Sequence, residues 1–334
     1  MPVAPNNLRK LKMTNTHSRI EHFPLPLFSS VMGIGGYALA TRAAGLSKLT
    51  IAMTVLATVI GLLVATLYGL KAMKYPKAVQ ADFGHPIRHA FFPAISIGLL
   101  IMAEVYFPLS EAVSFAMWII GAVLQLWFTL HILTTWMYHD KFEITMITPA
   151  WFIPVVGNVL VPIAGIHHAP VELLWFFLSY GMFFWLVLQT IVMYRVIFHT
   201  TIPPKLMPTF FIMIAPPAVS FTSYVQMTQG MEHGLDHFAL FLYFIAAFIT
   251  LMLLYRAKKF ISLPFALTWW SYTFPMTAVT TASFMMAHAF TDSSLHTLYT
   301  SIAWGLFGLT SVIVFVVLVQ TTRAMLAGKV CVPD

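Results

Sequence analysis

Along the chain, long apolar stretches alternate with short polar breaks, at a spacing that suits helices crossing a bilayer. A hydrocarbon core of ~30 Å takes about twenty helical residues. Segments of that size fall at 26–45, 49–73, 86–107, 111–138, 148–166, 170–198, 208–229, 233–256, 268–290 and 295–323. They group in pairs. Connections within a pair are short, as in Gly45-Leu46-Ser47-Lys48, Phe107-Pro108-Leu109-Ser110 and Ile166-His167-His168-Ala169. Connections between pairs are longer and basic, as from Lys71 to Pro86 and from Arg256 to Leu267. The pattern predicts an all-α integral membrane fold of ten helices in five hairpins.

A second pattern runs through the first member of every pair. Pro26, Pro93, Pro154, Pro217 and Pro275 recur at intervals of 67, 61, 63 and 58 residues. Each has a small or hydroxyl residue just after it: Ser29, Ser96, Gly157, Ser220 and Thr277. A fixed period of this length is one membrane-sized helical hairpin repeated. Proline removes a helical hydrogen bond and bends the helix, and in lipid the freed carbonyl must face protein or water. The odd segments also concentrate small residues, as in Gly33-Ile34-Gly35-Gly36 and Thr277 through Thr281, whereas the even ones carry runs such as Leu173-Leu174-Trp175-Phe176-Phe177. This places five kinked odd helices inside, around a central pathway with quasi-fivefold symmetry, and the even helices outside. The competing reading is a solid bundle in which the small residues serve packing alone.

Composition agrees with the membrane reading. Hydrophobic residues make up 59% and charged residues 9% of the 334-residue chain, against about a quarter charged in soluble domains. Of the 18 lysines and arginines, 16 fall on one side of the predicted spans, and only Arg42 and Lys48 fall on the other. That asymmetry predicts cytoplasmic N- and C-termini, and it explains the basic balance without nucleic acid. The opposite loops carry Glu104, Glu111, Glu172, Glu232, Asp236 and Asp292. The expected organisation is a polar basic tail at 1–21, a transmembrane domain at 22–323 and a second tail at 324–334. No cleaved signal peptide is expected, and Met13 offers a second start. The single cysteine, Cys331, excludes an internal disulfide framework.

The chemistry along the odd helices is sparse. No Asp, Glu, Lys or Arg lies in the middle of an odd span, which argues against a proton relay. No phosphate loop, metalloprotease or nucleophile-elbow motif is present, so no enzyme activity and no cofactor are expected. His233 and His237 have i,i+4 spacing but no third ligand nearby in sequence, so no metal site is assigned. Phe274 stands immediately before Pro275 in Trp269-Trp270-Ser271-Tyr272-Thr273-Phe274-Pro275-Met276-Thr277. A bulky ring there would narrow a pore and gate it by steric block and dewetting. The pore-lining candidates are Pro26, Ser29, Gly33, Pro93, Ser96, Pro154, Gly157, Pro217, Ser220, Pro275, Thr277 and Thr280.

The proline-marked helices, Asp82-Phe83-Gly84-His85-Pro86-Ile87-Arg88 and the Trp-Trp-x-Tyr-Thr-Phe-Pro stretch at 269–275 resemble the tellurite-resistance/dicarboxylate transporter family. That family includes plant guard-cell slow anion channels and fungal malate transporters. The likeness runs from about Phe23 to Arg323. It implies ten helices around a quasi-fivefold pore plugged by a phenylalanine, here Phe274. It also implies selectivity for small inorganic or organic anions, a homotrimer with one pore per subunit, and a bacterial inner-membrane location. A tension follows, because proline-freed carbonyls repel anions. Hydroxyl donation from Ser29, Ser96, Ser220, Thr277 or Thr280 would oppose that repulsion. An anion channel leads; a secondary carrier for dicarboxylates or tellurite-type oxyanions, and a structural or sensing role, stay open.

Overall fold

A computed structural model describes residues 19–140 and 142–332. Most of the expected tail at 1–21, including Met13, and the end of the tail at 324–334 lie outside the described residues. The fold is all-α, with no strand among the described residues. Five long continuous helices are α2 (Ser47–Lys74), α5 (Glu111–Tyr138), α8 (Val171–Phe198), α11 (His237–Tyr255) and α14 (His296–Leu326). None of these segments contains a proline, so the helical hydrogen-bond ladder runs unbroken. Their outer faces expose large apolar side chains, among them Leu62, Phe248 and Phe315, which is the surface a lipid phase requires.

The remaining helices are shorter, and most are broken. α1 (Phe28–Ala43) follows a 3-10 turn at Leu25–Leu27; α4 (Ala94–Tyr106) follows one at Arg88–Phe91. Residues 149–165 alternate between types: 3-10 at Pro149–Trp151, α6 (Phe152–Val156), 3-10 at Gly157–Leu160, then α7 (Val161–Gly165). α9 (Ala215–Met227) follows the 3-10 segment Met207–Ile214, and α13 (Thr273–Ala289) follows Leu267–Tyr272. Short helices α3 (Pro76–Gly84), α10 (Gly230–His233) and α12 (Ala257–Ile261) lie in the connections. The periodic prolines sit at or near these changes of helix type, where a missing N–H is tolerated.

Burial separates the two classes. In the membrane-sized windows, 78% of residues are buried for 88–106 and 207–227, against 17% to 39% for the five long helices. Among the described residues, seven helices are long and apolar enough to cross a membrane, with Pro149–Gly165 a shorter apolar helix. The sequence predicts ten spans, and the difference lies in α1, 149–165 and α13. Gly, Ser and Thr make α1 and α13 less apolar, and Pro149–Gly165 is shorter than the rest. α1 packs against α2, α4 and α13, and α13 also packs against α9 and α14.

Polar side chains of the long helices hold the breaks. Gln125 and Thr129 on α5 are fully buried. Gln125 Nε2 donates to the carbonyls of Pro154 (3.0 Å) and Ile153 (3.4 Å), while its Oε1 accepts from Ser96 Oγ at 2.7 Å. Thr129 Oγ1 donates to the Pro154 carbonyl at 2.7 Å and accepts from Asn158 Nδ2 at 2.7 Å, and Tyr180 donates to Asn158 Oδ1 at 2.6 Å. Trp118 Nε1 donates to the Val161 carbonyl at 3.0 Å. An exposed carbonyl at membrane depth is costly, and here the neighbouring helix covers it.

The Asp82-to-Arg88 motif forms a clip at one end of the bundle. Lys71 and Asp82 are buried, with Nζ 2.7 Å from Asp82 Oδ2 and 3.0 Å from the Phe23 carbonyl. Arg88 Nη1 lies 2.8 Å from Asp82 Oδ1. His85 Nδ1 accepts from the backbone N–H groups of Ile87 and Arg88 at 3.1 and 3.2 Å, shaping the turn before the next apolar segment.

Candidate functional site

Phe274 is the second residue of α13, between the 3-10 segment Leu267–Tyr272 and Pro275. Its ring is buried at 9% exposure and touches two cavities, one on each side. The first holds about 60 Å³ open to the centre of a water-sized sphere and is lined by Ser29, Ile97, Gly157, Ser271 and Pro275, among others. The second holds about 180 Å³ and is lined by Gly36, Arg42, Glu104, Thr222, Gln226 and Thr277, among others. Phe274, Leu160 and Val219 line both. These three side chains form the partition between the cavities.

The ring reaches this position because α1 offers bare backbone beside it. A Cβ added to Gly36 would stand 3.0 Å from Phe274 Cδ2 and 2.5 Å from Thr277 Oγ1. Thr277 Oγ1 donates to the Phe274 carbonyl at 2.7 Å, which ties up the first turn of α13. Leu160 comes from the 3-10 segment of 149–165 and Val219 from α9, so three broken elements meet at one level.

Of the residues predicted from sequence, Ser29, Gly157, Phe274, Pro275 and Thr277 line these cavities. Pro26, Gly33, Pro93, Ser96, Pro154, Pro217, Ser220 and Thr280 do not. Gly33 packs α1 onto α13, since a Cβ there would fall 2.1 Å from Thr273 Oγ1. Ser96 Oγ donates toward the Pro93 carbonyl at 2.9 Å and Gln125 Oε1. Thr280 Oγ1 donates to the Met276 carbonyl at 2.7 Å and lies 2.9 Å from Thr310 Oγ1 on α14. Ser220 is fully buried and its Oγ has no partner. The hydroxyl protons of Ser96, Thr277 and Thr280 therefore go to protein acceptors and are not offered to a passing ion. A hydroxyl with its proton committed presents lone pairs only.

Sequence reasoning missed Leu160, Val219, Arg42 and Glu104. The signal for Arg42 was present: it is one of two cations on the acidic side of the spans. Arg42 ends α1, and its Nη1 lies 3.0 Å from the Glu104 carbonyl and 3.5 Å from Glu104 Oε1, with Nη2 2.6 Å from the Val105 carbonyl. The first cavity has no charged residue in its lining, whereas the second holds this cation and carboxylate. His167, in the loop after α7, places Nε2 4.0 Å from Glu104 Oε2 and stacks on Phe107 with ring centroids 3.6 Å apart. Burial lowers the His167 pKa from its ordinary value, and neighbouring His168 lowers it further against an opposing pull from Glu111. The imidazole is therefore held neutral near pH 7. Among the described residues, no group of three or more His, Cys, Asp or Glu side chains could hold a metal ion.

Residues 22–322 match the family described as voltage-dependent anion channel. The chain is similar to the uncharacterized transporter MJ0576 of Methanocaldococcus jannaschii, with 25% identity over 78% of this chain and 80% of that protein. It is 31% identical to the S-type anion channel SLAH3 of Arabidopsis thaliana over 68% of this chain and 35% of the plant protein. To the tellurite resistance protein TehA homolog of Haemophilus influenzae it is 20% identical over 63% of this chain and 64% of that one.

Proposed function

We propose, because the chain belongs to the voltage-dependent anion channel family, that it conducts small anions passively across the cytoplasmic membrane. The path runs through the two cavities and past Phe274, which closes it. One observation carries this reading: an apolar ring stands between two cavities where three broken helices converge. The seven membrane-sized helices, with α1, 149–165 and α13 added, supply ten spans in five hairpins. The proline-marked segments then surround the path, and the long helices face lipid. The charge asymmetry of the loops puts both termini in the cytoplasm, so the first cavity opens inward and the Arg42 cavity outward. A homotrimer with one path per subunit is the assembly the family likeness implies.

Selectivity in this path comes from dehydration. The lining around the partition is apolar, and the carbonyls at the Pro154 break are covered by Gln125 and Thr129. Neither strong donors nor naked carbonyls meet the ion at the ring. Ions that shed water cheaply should pass best, so nitrate should exceed chloride. Similarity to an S-type anion channel and to a tellurite resistance homolog fits an anionic cargo.

The test is the full chain in planar bilayers with mixed chloride, nitrate and malate. Anion-selective reversal potentials, with single-channel currents too large for an alternating-access cycle, support the channel. Counterflow or dependence on a proton gradient would replace it with a carrier, and absence of flux would refute both.

A further inference from the structure

At the outward end of the path, a cation and a carboxylate share one cavity without a tight bond. Arg42 is fixed by its backbone. Gly45, at φ +74°, donates its N–H to the Arg42 carbonyl at 2.9 Å, and Leu46 donates to the Thr41 carbonyl at 3.0 Å. This is a glycine-closed helix end. The contact to Glu104 Oε1 is 3.5 Å, longer than the ~2.7–2.9 Å of a good charge-assisted bond. Glu104 Oε2 is buried with no hydrogen-bond partner. The Arg42 side chain is one-third exposed, and it shares the cavity with Thr222 and with Gln226, whose Oε1 is likewise buried and unbonded. A guanidinium anchored on the Glu104 and Val105 carbonyls, one-third exposed to the cavity and only weakly paired with the Glu104 carboxylate, is an incomplete anion site.

We infer that Arg42 is an anion-binding site at the outer mouth, and that Glu104 is a built-in competitor which releases it on protonation. The inference rests on reading the two cavities as one anion path. Other titratable groups toward this end are Lys48 on α2, Glu111 at the start of α5, His167 and His168 after α7, Glu172 on α8, Glu232, His233, Asp236 and His237 beyond α9, His288 on α13, and Asp292 and His296 beyond it. Of these, His167 approaches Glu104. His168 is engaged with Ser114 Oγ at 2.8 Å, His296 lies 3.1 Å from the Ala287 carbonyl, and Asp236 accepts from Tyr224. Protonating Glu104 or His167 adds positive charge beside Arg42, so both steps act in the same direction. Anion occupancy at the mouth rises as outside pH falls.

The test uses the full chain carrying Phe274→Ala, which keeps the path open, with outer chloride titrated at pH 8 and pH 5.5. The half-saturating chloride concentration should fall about threefold or more on acidification, the scale of one charge at short range in a wet cavity. Adding Glu104→Gln should give the low value at both pH values, and adding Arg42→Gln the high value at both. Adding His167→Gln should keep most of the step. Chloride-dependent thermal stabilisation of the wild-type protein in detergent, which needs no flux, should follow the same pH dependence and disappear in Arg42→Gln. A full pH step in Glu104→Gln, or unchanged chloride binding in Arg42→Gln, overturns the site. If chloride stabilises as expected while Phe274→Ala carries no anion current, the channel reading fails and the binding site stands.

Discussion

Replacing Phe274 by Ala removes the ring that separates the two cavities. Leu160 and Val219 remain at the same level, but neither is large enough to close it alone. If Phe274 is the gate proposed above, an anion passes the intact protein only when the ring swings away. That movement gives up roughly 1.5–3 kcal/mol of apolar contact for a buried Phe and forces a strained rotamer at about 1 kcal/mol. The ring cannot relax toward α1, since Phe274 Cδ2 already lies where a Gly36 Cβ would meet it at 3.0 Å. An opening cost of ~2.5–4 kcal/mol corresponds to about 10²–10³ in open population. Macroscopic anion current per reconstituted protein should therefore rise by about two to three orders of magnitude. Stability should fall by less than the ~3–5 kcal/mol of a sealed Phe→Ala cavity, because the new space joins cavities on both sides. Current in planar bilayers at matched protein density, with melting in detergent as the folding control, measures both. A folded Phe274→Ala protein with current within threefold of wild type would refute the gate.

Two further substitutions probe the frame around the path. Gln125→Leu keeps the volume but strips the Ile153 carbonyl of its side-chain donor and leaves Pro154 with Thr129 alone. The cost should be about 1–2 kcal/mol, from the loss of two buried side-chain hydrogen bonds tempered by the smaller worth of such bonds in membranes, because the Ile153 carbonyl keeps the Gly157 N–H; an unchanged melting temperature would show the network to be dispensable. Lys71→Met leaves the buried Asp82 carboxylate with Arg88 as its remaining ion-pair partner and should destabilise by ~3 kcal/mol. The double variant Lys71→Met/Asp82→Leu should recover most of that loss, because the half-exposed Arg88 side chain can turn to water, and failure to recover would mean that Lys71 acts by packing.

The alternation of small-residue and lipophilic segments was legible because lipid exposure is a one-dimensional property of a whole helix. Leu62 or Phe315 can face outward whatever the detailed phase of its helix. Which hydroxyls face the cavities was not legible, and the reason is helical phase. An α-helix advances about 100° per residue and a 3-10 helix about 120°. A 3-10 stretch as long as Met207–Ile214, 8 residues, shifts every later side chain by roughly 160° relative to a continuous α-helix. Pro216 rather than Pro217 thus lines the first cavity, and Ser96 and Thr280 turn to α5 and α14. The seven apolar spans differ from the predicted ten for another reason, since Gly, Ser and Thr dilute the hydropathy of α1 and α13 and Pro149–Gly165 is shorter. Arg42 was passed over because it reads as the end of a span, and only the fold brings Glu104 and Gln226 to the same cavity.

The periodic prolines raised a difficulty, since bent helices free carbonyls and carbonyls repel anions. The fold answers it by capping carbonyls at the breaks with side chains of neighbouring turns and helices. Pro154 is covered by Gln125 and Thr129, Val161 by Trp118, and Met276 by Thr280, with Thr310 within 3.4 Å. The donors come chiefly from the lipid-facing helices α5 and α14, so each of these has two unlike faces. One is apolar toward the bilayer, and the other carries the few polar groups needed to neutralise its partner's break. Hydrogen bonds within the fold likewise consume the protons of Ser96, Thr277 and Thr280. What remains at the partition is close to electrically neutral, and its barrier is set by the ring and by lost hydration. Charge recognition then has to occur elsewhere along the path, and Arg42 is the charged donor lining either cavity. Substitution at Phe274 should accordingly change how much current flows while leaving the nitrate-to-chloride permeability ratio nearly unchanged. Substitution at Arg42 should change anion affinity without opening the closed path. A Phe274→Ala channel that lost its preference for nitrate would place selectivity at the ring and contradict this division.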